Sequence, residues 1–449
     1  MKQAEIFYFT LQDEQTKEEK LEWFRQTQFE QIPFVHITPD QKSNWINLTD
    51  NDFDDFLPSI DKEVKAGKSQ VAVFQLFSAG LKTQRDDWVY DWNEDDLIEK
   101  VKFMISDYQS SLEKGNNQKS KIKWDENLTS CLSRGIRKEF DSSCIRNGVY
   151  RPFVKKKIYF DSHFNGRIYQ MPNIFRASDS RNTLIWLKTG DAIPFWCLAS
   201  SCIVDLTTIG GSQCFSLYRY EKDGTRVDNI TNWGLSQFRD RYKKPLIQTE
   251  DIFHYVYAVL HHPAYRTKYE LNLKREFPRI PFYDNFQQWA DWGKQLMDLH
   301  INFEDAEPYE LERIGVGIID EAHVAMQASL FKVESNGKDA SPTKKAAPKC
   351  KLKADKVVGT IELDTVTTLK GIPAIAWEYK LGNRSALEWV LDQYKEKKPK
   401  DPTIAKLFNT YRFADYKEHV IDLLKRVCTV SIETMEIIQQ MPDAVEHQG

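Results

Sequence analysis

Apolar and polar positions alternate over residues 4–11 and again over 33–38, which predicts two short strands. Between them the acid-rich opening Thr16, Glu18, Glu19 starts a helix that carries Leu21, Trp23 and Phe24. Residues 45–60 read as an acidic loop with Asp50, Asp52, Asp54 and Asp55. So few strands in residues 1–70 do not make a complete α/β layer, so this section is expected to be the end of an α/β domain whose first half lies outside the chain.

Val71 and Val73 alternate with smaller or polar residues, predicting a strand over 70–77, followed by a glycine turn and a short strand within 78–90. A polar helix is predicted over 95–112, and the Gly, Asn and Lys of 114–123 predict an exposed loop. The large central block mixes strands at 157–160 and 183–186 with an apolar helix at 250–260. From 335 to 356 the composition changes to Gly, Pro, Ala and Ser with seven lysines against two aspartates, as in a flexible basic linker. A strand over 357–363 and helices over 385–394, 416–427 and 430–440 follow. The expected architecture is mixed α/β (α+β), divided into 1–70, 71–334, the linker 335–356, and a helix-rich section 357–449.

A chain of 449 residues can bury several cores, and 41% hydrophobic with 29% charged residues excludes wholesale disorder. The 13% of aromatic residues adds rings for packing or for stacking on bases. Lys and Arg number 62 against 66 acids, a formal charge of −4, so a polyanion would have to meet a local basic face. Seven cysteines without a Cys-x-x-Cys spacing suit a reducing compartment and argue against structural zinc. No run approaches the roughly 18 apolar residues of a membrane span, and a cytoplasmic protein is expected.

Several motifs invite catalytic readings. Asp320-Glu321-Ala322-His323 after Ile318 and Ile319 spells a helicase magnesium box, which requires a phosphate loop to act with it. The one candidate, Gly67-Lys68-Ser69, has Lys62 where the first glycine belongs, so an ATPase is not the expected function. Asp364, Glu378 and Lys380 have a spacing permitted for a magnesium-dependent nuclease, which stands as the alternative function. The competing reading places Glu378 on the solvent face of a packed strand over 375–379. His254, His261 and His262 sit on and after an apolar helix that His262-Pro263 ends, a packing role rather than a metal site. No Asn-Pro-Pro-aromatic tetrapeptide, nucleotide-holding glycine loop or Gly-x-Ser-x-Gly elbow occurs.

Basic and aromatic residues interleave through the central block, among them Arg151, Phe153, Lys155, Lys156, Lys157, Tyr159, Arg167, Tyr169, Arg176 and Arg181. A second basic run comprises Arg239, Arg241, Lys243 and Lys244. Lysines suit phosphates and arginines can pair bidentately with guanine, although half or more of such residues serve as solvated faces or ion pairs.

Six phrases in order, FSAGLKTQRDDWVY (77–90), YRPF (150–153), QCFSLYRY (213–220), DIFHYVYAVLHHPAYR (251–266), FPRIPF (277–282) and LGNRSALEWVL (381–391), resemble the C-terminal part of the type ISP restriction-modification enzymes. Those enzymes combine nuclease, translocase, adenine methyltransferase and target-recognition parts in one chain. The resemblance covers nearly the whole sequence. It implies that residues up to about 70 are the last strands of the methyltransferase and that the rest is the target-recognition region. It also places the Asp320 and Glu378 motifs outside the motor and nuclease where such motifs act.

The resulting expectation is a sequence-specific duplex DNA recognition module. Its DNA contacts are expected from Lys82, Arg85, Arg151, Lys155, Lys156, Lys157, Arg167, Arg176, Arg181, Arg239, Arg241, Lys243 and Lys244. No catalytic residue and no cofactor are assigned to the chain itself. S-adenosylmethionine, ATP and magnesium are expected on methyltransferase and translocase/nuclease parts, in the same natural chain or a separate subunit.

Overall fold

The computed structural model describes residues 5–12, 15–39, 45, 51–114, 121–190, 193–315 and 348–443. At the N-terminus the strands Ile6–Tyr8 and Val35–Ile37 pair antiparallel, joined by the helix Lys17–Gln26. Thr16 and Glu19 close a reciprocal capping box at that helix start, as the acid-rich opening requires. None of the helix residues is buried.

The rest is built on two apolar cores. One lies under a four-stranded sheet in the order Ile203–Val204, Ile145–Arg151, Val154–Tyr159, Tyr90–Asp91, antiparallel except at its first pair. The helix Glu94–Lys114 packs here through Leu97, Val101, Met104 and Tyr108 at helical spacing. The other core involves a second sheet, ordered Ser78–Ala79, Gln213–Ser216, Leu184–Lys188, Trp196–Ser200. Both Leu184–Lys188 and Trp196–Ser200 are buried at every residue, so each reads as a continuous apolar run rather than an alternation.

Against this sheet lies the helix Thr249–His261, which buries nine of its residues and is apolar nearly all round. The amphipathic helix Phe286–Ile301 crosses it at Gly293. A Cβ at that glycine would stand 1.7 Å from the His254 carbonyl oxygen, so only glycine lets the backbones meet. The contact is tied by side chains as well. Tyr257 accepts from the Ala199 amide (2.7 Å) and donates to His300 Nδ1 (2.6 Å), while His300 Nε2 donates to Thr434 Oγ1 (2.9 Å) in the C-terminal helix Phe413–Ile438.

Four predictions differ. Residues 70–77 form no strand beyond a single bridge from Phe74 to Ile230, because Ala72, Val73 and Phe74 are buried in succession rather than alternately. Within 335–356, the end that reads as flexible linker is the strand Cys350–Asp355, with Leu352 buried between exposed Lys351 and Lys353. It joins Thr360–Asp364, Thr367–Lys370 and Glu312–Gly315 in one antiparallel sheet. The predicted strand over 375–379 is instead a 3-10 turn, Ala374–Trp377. The two C-terminal helices predicted over 416–440 are one, since nothing between Val427 and Val430 breaks the period.

Phe53, Phe56 and Ile60 are part of the second core, and Leu57–Pro58 pairs with Arg279–Ile280, so residues 51–60 are packed with the central block. The first core likewise runs through Leu387, Val420 and Val430 of the C-terminal section. No helix among the described residues is long and apolar enough to cross a membrane.

Candidate nucleic-acid interface

The phrase at 77–90 runs from the short strand Ser78–Ala79 through a loop to the helical turn Asp86–Val89 and the strand that starts at Tyr90. Gly80 lies so close to the Asp205–Leu206 backbone that a Cβ would meet it at 2.7 Å. Leu81 bridges to Asp205 on one side, and Lys82 bridges antiparallel to Arg167 on the other. Both hydrogen bonds of that second bridge are made, Lys82 N to Arg167 O at 2.9 Å and the return at 2.8 Å. Three residues on, Arg85 turns inward. Its side chain is fully buried, with an ion pair to Asp125 at 2.9 Å and donation to the carbonyls of Phe164 (2.5 Å) and Lys123 (3.2 Å). Burial lowers its pKa, and Asp125 offsets only part of that. Arg85 therefore anchors the loop and has no face left for a base.

The other expected DNA contacts separate by what they already hold. Arg151 pairs with Asp205 (3.2 Å) and lies over the Tyr150 ring. Burial, and Asp86 next to it, raise the Asp205 carboxyl above the usual range despite that arginine. Lys155 pairs with Glu304 at 2.6 Å and Lys157 with Glu94 at 3.0 Å. Lys156 is pressed between the rings of Trp92 (4.3 Å) and Tyr150 (4.5 Å), where burial first and Lys100 second lower its ammonium to about 7. Arg176 donates to the carbonyls of Glu221 and Lys222, and Arg239 to that of Ile247, so both brace turns. Arg241 lies over the Phe282 ring.

That leaves Lys82, Arg167, Arg181, Lys243 and Lys244 without a carboxylate, side-chain hydrogen-bond or ring partner among the described residues, all but half-buried Lys82 exposed. Lys243 caps the helix Asn232–Tyr242 in the left-handed region. The structure brings two of the five together, Lys82 and Arg167, on bridged loops.

A cleft of about 480 Å³ runs beside this loop, lined by Lys82, Gln84, Asp86, Lys123, Lys400 and others. Three of its four acids are engaged, Asp205 with Arg151, Asp86 with the Tyr150 and Thr83 hydroxyls and Asp401 with Trp88 Nε1 at 2.8 Å, while burial and then Asp86 raise the carboxyl of the fourth, Asp87, above the usual range. Lys123 and Lys400 on its rim are exposed, as is Lys398, which lines an adjoining cleft that shares Asp86, Asp87 and Lys400. None of the three is among the contacts expected from sequence, although the run Lys395, Lys397, Lys398, Lys400 is a legible charge cluster.

The residues of the catalytic readings are not gathered. Asp364 ends a strand, pairs with Lys417 at 2.7 Å and accepts from the amides of Val366 and Thr367, which together hold its carboxyl below the usual range against burial. Glu378 and Lys380 line a different cavity, near Arg266 and Met435, that Asp364 does not reach. Gly67 closes the short helix Lys62–Lys65 instead of opening one, so Gly67-Lys68-Ser69 is no phosphate loop. Asp320 to His323 lie outside the described residues. Among those described, no group of three His, Cys, Asp or Glu could hold a metal ion. His261 donates to the Tyr257 carbonyl and His262 to that of Pro442, both packing roles.

The described residues form a mixed α/β body that carries Lys82 and Arg167 on two bridged loops. A family profile described as the type ISP C-terminal specificity domain matches residues 72–423, and the chain belongs to that family. Among solved structures it is similar to DrdV in a complex with DNA, at 43% identity and a TM-score of 0.81 over 99% of this chain and 44% of that one. It is also similar to the ATP-dependent type ISP restriction-modification enzyme LlaBIII bound to DNA (26% identity, TM-score 0.73, 92% of this chain and 26% of that one). A nuclease-deletion mutant of the type ISP enzyme LlaGI with a DNA substrate mimic matches at 28% identity and a TM-score of 0.71, over 99% and 40% of the two chains. The chain thus spans less than half the length of these relatives. No curated protein matches it.

Proposed function

We propose that this chain selects a base sequence in duplex DNA on behalf of a type ISP-like restriction-modification system. The observation that carries the reading is the pair of bridged loops bearing Lys82 and Arg167 without carboxylate partners, in a chain of the specificity-domain family. Arg181, Lys243, Lys244, Lys398 and Lys400 add phosphate contacts, which position the duplex without reading it. Reaction chemistry belongs to methyltransferase and translocase/nuclease parts, which hold S-adenosylmethionine, ATP and magnesium. The system works in the cytoplasm.

Selection from a randomised duplex pool tests this. One motif should be enriched, and log affinity should fall linearly with log salt. Equal retention of every sequence would refute it.

Residues 5–39 form the proposed contact with the methyltransferase part. Phe7, Phe24, Phe29 and Val35 are all more than half exposed there, a density of apolar surface that calls for cover. Replacing Phe24 and Phe29 by Ser should abolish co-purification with a co-expressed methyltransferase polypeptide. Unchanged co-purification would remove this surface from the account.

A further inference from the structure

We infer that Gln84 reads a base edge, with adenine as the base its amide fits, and that Lys82 and Arg167 hold the flanking phosphates. The inference rests on the DNA-selection reading and assigns its specificity to one side chain.

Gln84 sits between two buried neighbours. Thr83 turns in to Asp86 and Arg85 turns in to Asp125, leaving Gln84 as the side chain of this stretch that lines the open surface. Its backbone is left-handed, φ 63°, a region that glycine and asparagine adopt readily and glutamine does not. On the facing loop Tyr169 is also left-handed, φ 48°, and 38% exposed. Strain of this kind on two facing loops is held only where surrounding contacts over-determine the backbone. Here they are the Lys82–Arg167 bridge, the Arg85–Asp125 ion pair and the Gly80 contact with Asp205–Leu206.

Gly166 completes the seat. A Cβ at that glycine would stand 2.6 Å from Gln84 Cγ and 3.1 Å from its Cδ and Nε2, so the glutamine side chain, with one edge of its amide, lies along bare backbone. The stem is thus packed while its amide has no hydrogen-bond partner among the described residues. An amide offers one acceptor and two donor hydrogens, the complement of adenine N6 and N7 in the major groove. Lys82 and Arg167 share the same shallow cavity, one on each side of the bridge. Cations there fix register on phosphates and leave the amide to discriminate.

The experiment is pool selection with the full chain and its variants Gln84→Ala, Gln84→Gly, Lys82→Ala and Arg167→Ala. With Gln84→Ala, one A·T position of the enriched motif should lose its preference by about 5- to 150-fold, while the remaining positions keep theirs. Gln84→Gly suits the left-handed backbone, so it should lose the same preference with a thermal midpoint at or above that of the parent. Lys82→Ala and Arg167→Ala should weaken all sequences alike and lower the salt slope by about one each. If the parent selects a motif and both Gln84 variants select the identical motif, the assignment of Gln84 fails alone. If the parent selects none, the DNA-selection reading fails with it.

Discussion

At the scale of single residues, most charged side chains expected to touch DNA already hold a partner within the chain. Charge and spacing are visible in a sequence, but the partner that consumes a charge is not. Arg85 stands beside Lys82 in the chain, yet Asp125, far along it, decides that one is an anchor and the other is free. The histidines show the same dependence on context in the opposite sense, since the apolar run around them already marked a packing role. His300 is fully buried, and burial first, with Arg266 second, lowers its pKa to about 3. Its pKa in the unfolded chain is near 6.5, so between pH ~6.5 and ~3 the unfolded state binds the proton and the folded state does not. The stability tied to neutral His300 is therefore whole above about pH 6.5 and is lost as pH falls toward 3. Thermal midpoints recorded from pH 7 to pH 4 should drop more steeply for the parent than for His300→Gln. Parallel slopes would show that His300 does not titrate as its burial requires.

At the scale of elements, strong helices were legible and strands less so. The helix at 250–260 declared itself by an unbroken apolar run, and Glu94–Lys114 by its acidic first turn and helical period. Residues 70–77 misled because alternation assumes one wet face, whereas Ala72 to Phe74 are enclosed on both. The strand Cys350–Asp355 hid among lysines whose alternation with Leu352 and Ala354 was a real strand signal masked by composition. No sequence pattern announced that Gly293 is where two helix backbones meet. Gly293→Ala should cost about 3 kcal/mol, because the carbonyl it would strike is backbone and cannot swing aside. Gly211→Ala, where a Cβ meets nothing within 4 Å, should leave the denaturation midpoint nearly unchanged. Equal midpoints for the two variants would contradict the helix crossing.

At the scale of the whole molecule, the fold class and the family were legible because long phrases persist in order, and the family profile spans residues 72–423. The candidate site was legible as a basic region and not as a place. Bridging of Lys82 to Arg167 joins positions 85 residues apart in number, and the cleft rim borrows Lys400 from the C-terminal section. That section is locked to the loop by Asp401 on Trp88 and by Thr403 on the Lys121 carbonyl at 2.7 Å. The parts that read as separate along the chain thus make one surface, which we propose selects the duplex by its sequence. Its most direct test is a competition titration of the chain on a labelled duplex carrying the enriched motif, at about 0.15 M salt. A duplex of scrambled sequence should need on the order of 10³-fold more to displace it than the unlabelled motif does. Displacement by both at the same concentration would contradict the claim.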